Sequence, residues 1–87
     1  MITLAVAEIG NKFIIQKFNL SKEDIYHLES IGITLNKEMV IKGKYMINEH
    51  PSIIVVVNDK TVMLNSKYAN QIYGEVLEKN KILTKTR

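Results

Sequence analysis

The side chains best able to coordinate a metal ion are few in this sequence and widely spaced. His27 and His50 are the only imidazoles, and Glu49 is the carboxylate beside the second of them. Divalent transition metals accept nitrogen and oxygen ligands of this kind. The three side chains would meet only if the segment 45–51 folded over the helix carrying His27, because their spacing matches no compact ligand motif. We expect each histidine to be exposed or hydrogen-bonded to the backbone, and we assign no metal ligand.

Catalytic motifs are also missing from the sequence. Glu23 and Asp24 form the nearest carboxylate pair, but Asp24 is better explained by its place at a helix start. The serines have no histidine or glycine elbow nearby in sequence, and the four glycines have no phosphate-binding spacing. We therefore expect no enzyme, no catalytic residue and no bound cofactor.

Composition indicates one small globular domain. The 87 residues are 46% hydrophobic, which favours a packed core over disorder. Cysteine is absent, so disulfides, thiolate metal sites and a cysteine nucleophile are excluded, and a reducing compartment fits. Apolar runs fall far short of the ~20 residues that span a bilayer, and no signal peptide is evident. We expect a cytoplasmic protein.

The positive charge gives little support for nucleic-acid binding. The net charge is +3, but Arg87 is the only arginine among 12 cations. Recognition of phosphate and guanine edges favours the planar arginine fork, so a solvated lysine surface is the interpretation we favour. The alternatives kept open are a nucleic-acid-binding module and a metal-responsive adaptor.

One short helix is predicted from residue 22 to about residue 31. Ser21 has the right side chain to cap it, and Ile25, Leu28 and Ile31 form one apolar stripe. Gly32 then predicts a left-handed residue that ends the helix. The helix is too short to be stable alone, so it must pack on a sheet.

The remaining segments read as about five strands with hairpin-length connections. The strands are expected at 13–18, 38–47, 53–57, 61–64 and 72–77, with a loop at Asn48–Pro51 and a tight hairpin at Asn58–Lys60. Residues 66–70 look like a single helical turn before the last strand. Met39, Ile41 and Tyr45 share one strand parity, and Gly43 predicts a bulge or a sharp bend.

These elements predict a mainly β fold, a small antiparallel barrel that closes the sheet and removes its edges. The expected barrel domain covers residues 1–77, and the polar, lysine-rich segment 78–87 is expected to be a frayed tail. The strand 53–57 is apolar on both faces, so either both faces are buried within the domain or the second face contacts a partner.

The order of these signals resembles the FeoA family (ferrous iron transport protein A) over roughly residues 3–76. Leu35-Asn36 stands in place of the family's proline-glycine, Asn58-Asp59 replaces its hairpin glycine, and Asn65 stands where a basic residue is common. The matching positions are Thr3-Leu4, Gly10, Leu28, Ile31-Gly32-Ile33, Met39, Ile41, Pro51, the strand–turn–strand from Ile53 to Leu64, Ala69 and Ile72.

This resemblance implies an SH3-like barrel that serves as a non-catalytic accessory in ferrous iron uptake. The implied partner is FeoB, a membrane permease with a cytoplasmic GTP-binding domain, through which the chain would come near the membrane. Any GTP chemistry would then belong to the partner. The same fold forms the last domain of DtxR-type repressors, whose preceding winged-helix and metal-binding domains we do not find here.

A protein-binding surface is expected from exposed apolar side chains. Tyr26 lies on the helix side away from the apolar stripe, and Met46 and Ile47 end a strand beside His50. Tyrosine and methionine are enriched in docking surfaces, although Met46 and Ile47 would also serve to cover the barrel mouth. We predict that Tyr26, Met46, Ile47 and His50 share one partner-binding face, with no nucleic-acid partner.

Overall fold

The computed structural model describes residues 1–77, which form six strands and two helices. A 3₁₀ turn, Leu4–Val6, follows the first strand. The helices are α1 (Lys22–Ser30) and α2 (Ser66–Ala69). The strands are β1 (Ile2–Thr3), β2 (Lys12–Phe18), β3 (Glu38–Ile47), β4 (His50–Val57), β5 (Lys60–Asn65) and β6 (Ile72–Leu77). The expected tail, 78–87, lies outside the described residues.

The strands form one antiparallel sheet in the order β1-β6-β2-β3-β4-β5. The prediction that residues 38–64 are consecutive antiparallel neighbours is confirmed. The described residues contain one strand more than expected, because the two-residue β1 pairs with Tyr73 and Gly74 of β6. The mainly β fold, with a short helix and a helical turn before the last strand, is confirmed.

Helix α1 begins and ends through the predicted local bonds. The Ser21 hydroxyl accepts a hydrogen bond from the Asp24 amide at 3.1 Å, which is an N-cap. At the other end, the Ile33 N–H donates to the Leu28 carbonyl at 2.9 Å, and Gly32 has a φ of +96°. This is a Schellman ending, in which glycine takes the left-handed position without steric penalty.

The core lies inside the curled sheet and is closed by α1 and α2. Leu28 is the fully buried residue of the α1 stripe, and Ala69 is the buried residue of α2. Alternate residues of strands β2 to β6 complete this core, because strand side chains alternate between faces. The buried side chains of these strands include Phe13, Ile15, Met39, Ile41, Ile53, Val55, Val57, Leu64 and Ile72.

A β-bulge in β3 changes the face on which its later residues lie. Ile41 pairs with Val55, whereas Gly43 pairs with Ile54, so Lys42 is an extra residue. The predicted bulge is confirmed, but the expectation that Tyr45 shares the face of Met39 and Ile41 is wrong. The extra residue places Tyr45 outward, where it is 56% exposed.

Both two-residue turns use left-handed residues. Asn58 and Asp59 have φ values of +53° and +64°, as the predicted tight hairpin requires. The prediction of a four-residue loop at Asn48–Pro51 is wrong, because only Asn48 and Glu49 form the turn, with φ of +51° and +67°. His50 and Pro51 instead belong to β4. Within residues 1–77, no helix is long and apolar enough to cross a membrane.

Candidate functional site

The β3–β4 hairpin brings three of the four predicted partner-binding residues together. In its ladder, Ile47 pairs with His50, and Met46 pairs with Pro51. Met46 is 67% exposed, His50 is exposed and Ile47 is half-buried. The tight turn at Asn48-Glu49 fixes this register. Because successive residues of a strand point to opposite faces, Ile47 and His50 share one face of the hairpin end and Met46 lies on the other.

Tyr26 lies on a different element, α1, and is 75% exposed. The neighbouring His27 ring stacks on Tyr68 of α2, with ring centroids 6.5 Å apart. The Tyr68 hydroxyl also donates to Asp24 Oδ1 at 3.4 Å, so Tyr68 holds α1 against α2. Across the described chain, no hydrogen bond or ring contact joins Tyr26 to the hairpin. Its membership of one shared face stays a prediction.

The arrangement considered for metal coordination does not form. It required the segment 45–51 to fold over α1, but Tyr45–Ile47 are paired with His50–Ser52 as a regular hairpin. His27 is instead stacked on Tyr68. In the part of the chain that the structure describes, no three histidine, aspartate or glutamate side chains are grouped so that they could hold a metal ion.

A cleft of about 250 Å³ lies between the β3–β4 hairpin, α2 and the 3₁₀ turn, and we call it the hairpin cleft. Its apolar lining includes Met46 and Ile53, and Ser52, which is only 5% exposed, contributes a polar group. The full lining consists of Ala5, Lys44, Tyr45, Met46, Pro51, Ser52, Ile53, Ser66 and Ala69. Of the four residues predicted to bind a partner, only Met46 lies here.

Lys44 supplies the charge of the hairpin cleft. It pairs with Ile53 after the bulge, and its Nζ donates to the Ala5 carbonyl oxygen at 3.1 Å. This bond links β3 to the 3₁₀ turn across the cleft and uses one of the three ammonium donors. Sequence analysis missed Lys44 because uninterrupted alternation puts it on the outer face. Gly43, which predicted the bulge, was the signal that could have found it.

Comparisons with known proteins identify the fold. No family model and no curated protein matches the chain. The solution structure of iron(II) transport protein A from Clostridium thermocellum is similar over 87% of this chain, with a TM-score of 0.77 and 20% identity. The match covers 46% of that protein, so this chain spans under half of its length.

Two further solved structures have the same fold. The FeoA-like protein from Clostridium acetobutylicum is similar over 87% of this chain and 86% of its own, with a TM-score of 0.73 and 24% identity. A manganese-dependent transcriptional repressor in complex with manganese matches 86% of this chain and 36% of its own, with a TM-score of 0.74 and 21% identity. The resemblance inferred from sequence is therefore confirmed at the level of fold: the chain has the SH3-like fold of the FeoA structures.

Proposed function

We propose that this protein is a non-catalytic cytoplasmic accessory of ferrous iron uptake that binds and modulates a FeoB-type transporter. The observation that carries the proposal is the match of its fold to an iron(II) transport protein A and to a FeoA-like protein, each over 87% of this chain. The second match also covers most of the relative, so it involves nearly that whole protein and not an attached module.

The exposed side chains of the hairpin and α1 support a role in protein recognition. Tyr26 and Met46 are 75% and 67% exposed, although large apolar side chains are usually removed from water. Tyrosine and methionine are enriched at protein interfaces because they bury a large area when a partner docks. We propose Tyr26, Met46, Ile47 and His50 as the surface that contacts the GTP-binding domain of the transporter.

Calorimetric titration with the purified GTP-binding domain of the transporter tests this proposal. We expect Tyr26→Ala and Met46→Lys each to weaken binding by about tenfold, the loss typical of a central interface residue. Met63→Lys is the matched control, because Met63 is a methionine that is 54% exposed on β5 and is not one of the proposed surface residues. Equal affinities for all three variants would reject this surface, and the lack of any binding by the wild-type protein would reject the proposed partner.

A metal-responsive adaptor is the second candidate, and the match to part of a manganese-dependent repressor favours it. Melting curves recorded with and without Mn²⁺ or Fe²⁺ separate the two proposals, because a ligand that binds only the folded state raises the melting temperature. A rise that persists in both the His27→Ala and His50→Ala variants would place the metal elsewhere. An unchanged melting temperature would leave the transporter accessory as the better proposal.

A further inference from the structure

The hairpin cleft combines apolar walls with one positive charge. Among the described residues that line it, Lys44 is the one charged side chain. Its ammonium group is bonded to a neutral carbonyl oxygen, that of Ala5, and not to a carboxylate. Since the lining includes no acidic residue, the cleft is electrostatically complementary to an anion.

The size of the cleft limits what it can hold. Its volume of about 250 Å³ lies below the roughly 300–1,000 Å³ of most small-molecule sites. It therefore suits one or two side chains better than a whole cofactor. Tyr45 and Met46 at its rim are 56% and 67% exposed, so an incoming side chain would cover further apolar surface beside the cleft.

Ser52 provides a second polar group in the same cleft. The residue is 5% exposed, and among residues 1–77 it is the one polar residue that is buried. Among the hydrogen bonds within residues 1–77, none involves its hydroxyl group. The hydroxyl can therefore donate to, or accept from, a group that enters the cleft.

We propose that the hairpin cleft binds a segment of a protein partner that inserts a leucine-sized side chain and places a neighbouring carboxylate on the Lys44 ammonium. The apolar walls of Met46 and Ile53 would receive the inserted side chain, and the two remaining Lys44 donors would bind the carboxylate. The cleft thus selects an acidic, leucine-containing segment. This inference rests on the proposed function, because it assigns the chemistry by which the transporter partner would be recognised.

The direct test is an NMR titration with a blocked tetrapeptide of two leucines flanked by glutamates. We expect its binding to shift the amide signals of Met46, Ser52, Ile53 and Ala69, and a peptide with glutamines in place of the glutamates to bind roughly fivefold more weakly. Lys44→Met should abolish this preference for the acidic peptide while keeping the apolar stem. Lys42→Met is the matched control, because Lys42 is exposed on the same strand but lies outside the cleft.

Several results would overturn the inference. Peptide-induced shifts confined to residues outside the cleft, no shifts at all, or equal affinity of both peptides for the wild-type protein would each exclude it. Lys44-dependent sedimentation with phosphatidylglycerol vesicles, without a response to peptide, would assign the cleft to lipid and also exclude it.

A parallel titration with the transporter domain separates this inference from the proposed function. If the domain binds the wild-type protein and Lys44→Met equally, the inference fails and the proposed function stands. If the domain does not bind but the acidic peptide does, the proposed partner fails and the cleft chemistry stands.

Discussion

Replacing Gly74 by alanine is expected to remove most of the stability of this fold. Gly74 lies in β6, where it pairs with Ile15 of β2. A Cβ atom at this position would overlap the Ile14 carbonyl oxygen, and it would lie 2.8 Å from Cε2 of the Phe13 ring. The Ile14 backbone lies between two strands and Phe13 is fully buried, so neither neighbour can move freely.

The size of the effect follows from the cost of overpacking. Inserting a methyl group into a packed site usually costs about 1–3 kcal/mol, and a backbone clash belongs at the upper end or beyond. A single core of this size supplies only about 3–5 kcal/mol. We therefore expect Gly74→Ala to lower the melting temperature by at least ~12 °C, at roughly 4–8 °C per kcal/mol, or to prevent folding.

Position 32 offers a matched comparison, because glycine is required there by the backbone angle and not by lack of space. Its φ of +96° is the constraint, and the nearest atom to an added Cβ is the end of the flexible Asn58 side chain, at 3.1 Å. Gly32→Ala should cost about 1–2 kcal/mol, and Gly32→Asn less, since asparagine adopts left-handed angles more readily. At position 74 we expect asparagine to destabilise the fold more than alanine, because asparagine is larger and the constraint there is space. A Gly74→Ala protein melting within ~4 °C of wild type, or an asparagine better tolerated than alanine at 74, would refute this reasoning.

Two further substitutions test local features of the chain. Ser21→Ala should lower the free energy of unfolding by about 1 kcal/mol through loss of the N-cap. Ser30→Ala loses only a hydrogen bond to the His27 carbonyl and should change this free energy by less than about 0.5 kcal/mol. Urea denaturation measures both variants, and equal losses would contradict the capping role of Ser21. Asp59→Gly should raise the urea midpoint, with a gain of about 0.5–1 kcal/mol, because glycine adopts the φ of +64° without strain; an unchanged or lower midpoint would show that the aspartate side chain stabilises the turn.

Features set by a few neighbouring residues were predictable from the sequence. The Ser21 cap, the Gly32 helix end and the turn at Asn58-Asp59 each depend on side chains within a few positions of one another, and all three are present. The core face of β4 was not decided by the sequence, because the strand is apolar on both faces; the structure buries Ile53, Val55 and Val57 and leaves Ile54 and Val56 half-buried.

Features that depend on a distant strand were not predictable in the same way. The two-residue β1 exists only through its pairing with β6, and no local pattern marks so short a strand. One local feature also escapes the sequence, the tight turn at Asn48-Glu49, because glutamate rarely adopts a positive φ. The need for glycine at position 74 also escaped sequence reasoning, since it arises from the close approach of β2.

One extra residue in β3 determines the position of Lys44 in the hairpin cleft. Without the bulge at Lys42, alternation from Ile41 would place Gly43 and Tyr45 toward the core and Lys44 toward solvent. With the bulge, Lys44 instead takes the register position opposite Ile53, where the side chain remains exposed and its ammonium donates to the Ala5 carbonyl oxygen. The bulge therefore accounts both for the wrong prediction about Tyr45 and for the positive charge of the cleft.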